Sequence, residues 1–268
     1  MADDVVLSES RGAVRLLTLN RPDRLNAWTG ALEQRYFALL DEAEADPEVR
    51  VIVVTGAGKG FCAGADMDML QGIGEAGGVS DAGAPRKHHP PYYATTLNKP
   101  VIGAINGACA GIGLVHAMMT DIRFAAAGAK FTTAFARRGL IAEHGVSWVL
   151  PRLVGPARAM DVLLSGRVFL AEEALELGMV NRVCAPQALL DETIAYANDL
   201  AANSSPSSMA VMKRQIWAAL SQSIVEATNE ADSFMRQSLR EADFKEGVAS
   251  FVEKRPPQFL PVQDWTRA

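Results

Sequence analysis

The sequence predicts an α/β fold with parallel strands, followed by a helical C-terminal region. Three observations carry that reading. Residues 51–55 and 101–105 are uncharged apolar runs of the kind buried on both faces of a sheet. Strand, turn, helix and strand recur in that order, the pattern of parallel strands joined by crossovers. Beyond about residue 200 the spacing is helical, with no convincing strand up to about residue 252.

In order along the chain, residues 13–19 read as a strand ending at the turn Asn20-Arg21-Pro22-Asp23. Leu32, Tyr36, Leu39, Leu40 and Ala43 recur at helical spacing, so residues 29–45 are expected to form an amphipathic helix, broken by Asp46-Pro47. The buried strand 51–55 enters a glycine-rich loop over 56–64. Residues 71–91 are rich in Gly and Pro and hold His88 and His89; a loop of that length is a functional lid or disordered. A strand at 101–105, a helix at 111–119 and a strand at 122–125 follow. Residues 100–120 carry no Asp, Glu, Lys or Arg and reach membrane-helix length, but Asn106, His116 and the glycines at 103, 107, 111 and 113 favour a buried strand, turn and helix. Helices are expected at 156–165 and 171–177, the latter capped by Gly178. A boundary at Asn203-Ser204-Ser205-Pro206-Ser207 divides an α/β core, residues 1–200, from a helical region, residues 201–268. Helical appendages of that kind often pack on a neighbouring subunit.

Composition narrows the function classes. The 268 residues are 49% hydrophobic and 21% charged, which excludes disorder, collagen-like repeats and a disulfide scaffold. A net charge of −5 lacks the footprint of a dedicated nucleic-acid binder. Cys62, Cys109 and Cys184 are scattered and odd in number, so reduced thiols in a cytoplasmic protein are expected, and no metal set is evident. Met1-Ala2-Asp3-Asp4 has no signal-peptide apolar core.

Gly72-Ile73-Gly74-Glu75-Ala76-Gly77 matches a dinucleotide pattern literally, but a polar loop follows it and no acid lies between Tyr92 and Pro100. Gly56-Ala57-Gly58-Lys59-Gly60 lacks the hydroxyl a phosphate loop needs for magnesium. Two other turns matter more: Gly60-Phe61-Cys62-Ala63-Gly64-Ala65-Asp66-Met67 and Ile105-Asn106-Gly107-Ala108-Cys109-Ala110-Gly111-Ile112-Gly113. Each links a buried strand to a helix and exposes backbone N–H groups at its positive end. Two such donors can converge on one oxygen and stabilise developing negative charge. Tight packing that needs small residues is the other reading.

The pair of turns, in this order and spacing, resembles the enoyl-CoA hydratase/isomerase (crotonase) superfamily. The likeness begins at Asn20-Arg21-Pro22 and Leu25-Asn26-Ala27 and takes in residues 51–56, 61–66, 100–124 and 139–155. It runs on through Gly178-Met179-Val180-Asn181 to Phe251-Val252-Glu253-Lys254-Arg255-Pro256-Pro257-Gln258-Phe259. The resemblance implies a spiral of ββα repeats with a C-terminal helical trimerisation region, and a homotrimer or dimer of trimers. It implies an acyl-CoA thioester substrate, with coenzyme A part of that substrate and no separate cofactor. The two N–H donors that hold the thioester oxygen fall on Ala65 and Ile112, the second often glycine in the family. Coenzyme A contacts fall near Arg24, Asn26, Ala27, Ala63 and Asp66.

The two glutamates of the family's hydratases fall on Val115 and Phe135, neither able to move a proton. Glu143, in Gly139-Leu140-Ile141-Ala142-Glu143-His144-Gly145, matches an acid that shuttles protons in the related dienoyl-CoA isomerases. A carboxylate in an apolar pocket has its pKa raised, which suits acid/base work near neutrality. Glu143 is thus the candidate general acid/base for hydration or double-bond isomerisation; capping of the next helix is its structural alternative. Asp66 is expected to cap the helix after its turn. His144 either tunes Glu143, acts as a base or faces solvent; His116 is expected in the core, and His88 and His89 at the surface. Cys62 and Cys109 are explained by small-residue packing. Two rival functions stand: a non-catalytic acyl-CoA binder, and a hydrolase of this fold using His144.

Overall fold

The computed structural model describes residues 5–75 and 89–263. Strands β1 (Val6–Arg11) and β2 (Val14–Leu19) form an antiparallel pair, and α1 (Gly30–Ala45) crosses from it to β3 (Val51–Gly56). Strand β4 (Gly60–Cys62) and helix α2 (Met67–Glu75) complete one unit. The unit recurs as β5 (Val101–Ile105), β6 (Ala108–Ala110) and α3 (Ile112–Met118), then as β7 (Ile122–Ala126), β8 (Lys130–Thr132) and α4 (Val146–Val154). Next come α5 (Pro156–Ser165), β9 (Phe169–Leu170), α6 (Ala171–Leu177), β10 (Arg182–Cys184) and α7 (Leu189–Asn203). Helices α8 (Pro206–Ala219), α9 (Ile224–Ser238) and α10 (Ala242–Glu253) close the described chain.

In each unit the first strand joins one sheet, the second strand another. The larger sheet has the order β1-β2-β3-β5-β7-β10, parallel from β2 onward; the smaller has the order β4-β6-β8-β9. This is a crotonase-type spiral of ββα turns. The central strands are apolar because both faces are covered: Val51, Ile52, Val53, Val101, Ile102 and Ile105 are fully buried. Each such side chain contributes about 1.5–3 kcal/mol of transfer free energy against the entropy of ordering the chain.

Helix α1 buries the predicted stripe Leu32, Tyr36, Leu39, Leu40 and Ala43, together with Phe37. Thr29 caps its N-terminus by accepting the Leu32 N–H. Residues 100–120 resolve into β5, β6 and α3, and among the described residues no helix is long and apolar enough to cross a membrane.

Three elements differ from the sequence reading. Strand β1 is an edge strand with five of six residues exposed, so Ser8, Glu9 and Ser10 gave no apolar signal. Helix α7 lies over the larger sheet on a narrow face of Leu189, Thr193, Ala197 and Ala201, too small-sided to show a strong stripe. Residues 71–75, expected to open a loop, instead continue α2 through Gly72 to Glu75. Gly77 and His88 lie outside the described residues.

The first helix after residue 203 is tied into the core by a buried charge. Lys213 of α8 donates to the carbonyls of Ala94 (2.8 Å) and Lys99 (3.0 Å) and pairs with Asp121 at 2.7 Å. Asp121 also accepts the Val101 N–H at 2.7 Å and the Trp217 indole N–H at 3.3 Å. Burial pulls the Lys213 ammonium below its ordinary pKa, and the Asp121 carboxylate opposes that shift. By contrast α9 has no buried residue, and Ile224 of α9 and Phe251 of α10 are 81% and 84% exposed.

Candidate functional site

The first glycine turn leads from β4 to α2. Trp28 lies beside it in a parallel bridge to Ala65, donating its N–H to the Gly64 carbonyl (2.8 Å) and accepting the Asp66 N–H (3.0 Å). Successive peptide groups of extended chain point to opposite sides. The Ala65 N–H therefore points away from Trp28. The second turn leads from β6 to α3. Gly111, at φ +49°, donates to the Thr132 carbonyl at 3.1 Å, and Ile112 opens the helix. An amide in that first position has no acceptor within its own helix. Among the described residues neither the Ala65 nor the Ile112 N–H donates to a protein acceptor.

The turns are in contact. A Cβ added to Gly64 would lie 3.3 Å from the Ala110 carbonyl oxygen, and one added to Gly111 would lie 3.8 Å from the Gly64 Cα. Strands β4 and β6 are neighbours, with Cys62 opposite Cys109. A Cβ on Gly113 would fall 2.3 Å from the Cys62 oxygen, and one on Gly107 would fall 2.1 Å from the Lys59 oxygen. The small residues thus serve packing, and that packing brings the two amides into one neighbourhood. Burial pushes the Cys62 thiol up to about 11 and Cys109 well above its ordinary value, so both stay protonated near neutral pH.

Ala65 and Ile112 line one cavity of about 1110 Å³, and Glu143 and His144 line the same cavity. Glu143 sits in the loop before α4, its carbonyl accepting the Val146 N–H at 3.1 Å. The N-cap of α4 is Gly145, with no side-chain cap, so the Glu143 carboxylate is not spent on the helix end. It is 37% exposed and stands 3.5 Å from the His144 Nε2. His144 (φ +56°) and Gly145 (φ +84°) are both left-handed, which turns the chain sharply just past Glu143. A side chain such as histidine enters that region at a cost, and such strain gathers at functional sites.

Phe135 lines the cavity with only 4% of its surface exposed, whereas Val115 is wholly in the core. His116 is a core histidine, stacked on Trp28 with ring centroids 4.1 Å apart. Arg24, Ala27, Ala63 and Asp66 line the cavity. Asn26 does not: its side chain is fully buried, accepting the Arg21 N–H (2.8 Å) and donating to the carbonyls of Ala57 (3.0 Å) and Gly60 (2.7 Å). Its side chain ties the 20–27 turn to the β3–β4 loop rather than facing the cavity. Asp66 caps α2 through the Asp68 N–H (3.2 Å) and pairs with Arg21 at 2.9 Å. The Arg21 guanidinium holds the Asp66 carboxyl below the usual carboxylate range.

Two features of the cavity gave no sequence signal. One is Trp28, whose backbone directs the Ala65 amide. The other is Asp41 on its wall, which accepts from the Tyr93 hydroxyl (2.6 Å) and pairs at 2.8 Å with the Nε2 of His89, expected at the surface but half-buried in the cavity lining.

Known proteins resemble the chain along most of its length. The family model for Enoyl-CoA hydratase/isomerase matches residues 9–261. A 1,2-epoxyphenylacetyl-CoA isomerase of Escherichia coli is 37% identical over 96% of this chain and 98% of its own length. The mevalonyl-coenzyme A hydratase SIDH of Beauveria bassiana is 36% identical over 95% of this chain and 94% of its own. Among solved structures, an enoyl-CoA hydratase EchA12_1 from Mycobacterium marinum is 53% identical, covering 80% of this chain and 98% of that one with a TM-score of 0.69. A probable enoyl-CoA hydratase/isomerase from Mycobacterium abscessus, 33% identical, covers 96% of this chain and 98% of that one with a TM-score of 0.88. Matched over residues 9–261 in sequence, and in spiral architecture, the chain belongs to the enoyl-CoA hydratase/isomerase family of acyl-CoA enzymes.

Proposed function

We propose that the protein moves a proton along an acyl-CoA, shifting a double bond, with Glu143 as general acid/base. The thioester oxygen is received by the Ala65 and Ile112 N–H groups. As Glu143 removes a proton alpha or gamma to the thioester carbonyl, negative charge develops on that oxygen, and two fixed dipoles stabilise it without reorganising. Glu143 then returns the proton to the other carbon. Coenzyme A is held along Arg24, Ala27, Ala63 and Asp66, and no further cofactor takes part. The observation that carries the reading is the sharing of one cavity by two unspent amides and an uncapped carboxylate.

Isomerisation is favoured over hydration because adding water more commonly recruits two carboxylates. Here the matching positions are Val115, in the core, and Phe135, an apolar wall. The same reading assigns the exposed apolar side chains of α9 and α10 to contacts with further copies of the chain. The test is Glu143→Gln, assayed on a panel of enoyl-CoA thioesters in deuterated water. Turnover and deuterium uptake should fall by about 10²–10⁴-fold with CoA-ester binding retained. Unchanged turnover on any accepted ester overturns the role of Glu143.

A further inference from the structure

The wall formed by α1 is mixed, with Phe37 and Ala38 beside polar side chains that a plain alkyl chain would not need. Glu33, Gln34 and Asp41 line the cavity from that helix, and His89 joins them, while Met69 and Leu70 of α2 are apolar. His89 is held firmly. Its ring stacks on Tyr93 with centroids 3.7 Å apart and planes at 14°, and lies 5.6 Å from the Phe37 ring. Asp41 binds both ends of the stack, taking the Tyr93 hydroxyl on one oxygen and the His89 Nε2 on the other. A carboxylate accepts only, so Nε2 carries the proton. In the neutral ring Nδ1 is then a lone-pair acceptor, with no hydrogen-bond partner among the described residues. The His89 side chain is 23% exposed. Phe37 lies seven residues beyond Gly30, on the order of 10 Å along α1 from the helix end that adjoins the Trp28–Ala65 bridge.

We propose that His89, oriented by Asp41 and Tyr93, selects acyl groups bearing a hydroxyl well beyond the thioester, over bare alkyl chains. This deepens the acyl-CoA reading of the cavity and rests on it. The hydroxyl donates to Nδ1, and Asp41 and Tyr93 are positioning residues that fix the ring and its tautomer. An alkyl terminus in the same place would bury that acceptor without a hydrogen bond.

The test compares decenoyl-CoA with its ω-hydroxy derivative, by calorimetric binding and by kcat/KM. The wild-type protein should prefer the hydroxylated ester by about tenfold, the worth of one net hydrogen bond. His89→Leu should bring the ratio near unity, and His89→Gln, which keeps an acceptor, should restore part of it. Tyr93→Phe keeps the stacked ring and should weaken the preference about threefold, which guards against misfolding of the leucine variant. Equal binding of the two esters by the wild type, or a preference that survives His89→Leu, overturns the proposal. A preference in binding with no turnover, or turnover indifferent to Glu143→Gln, would sink the proton-transfer reading and leave this one standing. Failure of both esters to bind overturns both.

Discussion

The cavity has two walls of opposite character. One is made of the turns at Gly64 and Gly111, where backbone meets backbone and an added Cβ at Gly113 or Gly107 would collide with a carbonyl. The other is the 135–145 loop, where Leu140 is 40% exposed, the Glu143 carboxylate is 37% exposed, and a Cβ on Gly139 would meet nothing within 4 Å. The first wall supplies main-chain dipoles, which no substitution except proline removes but whose position any intrusion alters. The second supplies side chains, which substitution can exchange at little structural cost. On the proposed mechanism, charge stabilisation resides where the fold is least yielding, and proton transfer where it is most open to change. Val115 and Phe135, where the family likeness places the hydratase glutamates, are apolar and buried, while the Ala65 and Ile112 amides make no bond to protein among the described residues.

The sharpest way to break the comparison is to place the same methyl in both walls. Gly113→Ala drives a Cβ onto the Cys62 carbonyl and should cost at least about 3 kcal/mol, read as lost soluble expression or a collapsed Tm. Gly139→Ala has open space and only its φ of +70° to oppose it, so about 1–2 kcal/mol is expected. Comparable losses would mean the walls do not differ in rigidity. Next in size is Ile112→Pro. Proline is tolerated in the first turn of a helix, and it deletes one amide hydrogen while leaving α3 intact. A fall in kcat of about 10²–10³-fold with an unchanged circular dichroism spectrum is expected. Retained activity would remove Ile112 from the site. The smallest effect concerns the rim. Arg21 depresses the folded-state pKa of Asp66 below its unfolded value, so the pair's stabilisation is full above about pH 4 and fades as pH falls through the depressed pKa. Asp66→Asn should thus lower Tm at neutral pH, by about 2–4 °C, with the gap closing in acid. A gap that widened in acid would contradict the assignment.

The parallel sheet was legible because β3 and β5 are buried on both faces and must be apolar throughout. Helix α1 was legible because its stripe is wide and bulky. Strand β1 and helix α7 were not, since an exposed edge strand and a helix docked by Ala197 and Ala201 need little hydrophobicity. In the site, Ala65, Ile112 and Glu143 were reachable through the family likeness, and the structure brings them to one cavity. The direction of the Ala65 amide was not, because it depends on the backbone of Trp28, thirty-seven positions away and silent in residue identity. Asn26 illustrates the converse: a polar residue in a family motif whose side chain is consumed entirely by the fold.

The Lys213–Asp121 pair has a bearing on how the chain can be divided. A chain cut short at the end of α7 would strand an anion beneath the larger sheet, along with the carbonyls of Ala94 and Lys99 that now receive the ammonium. Uncompensated charge of that sort is costly to leave behind. Limited proteolysis should accordingly release α9 and α10 before α8, and the smallest fragment that still refolds should end beyond Ala219.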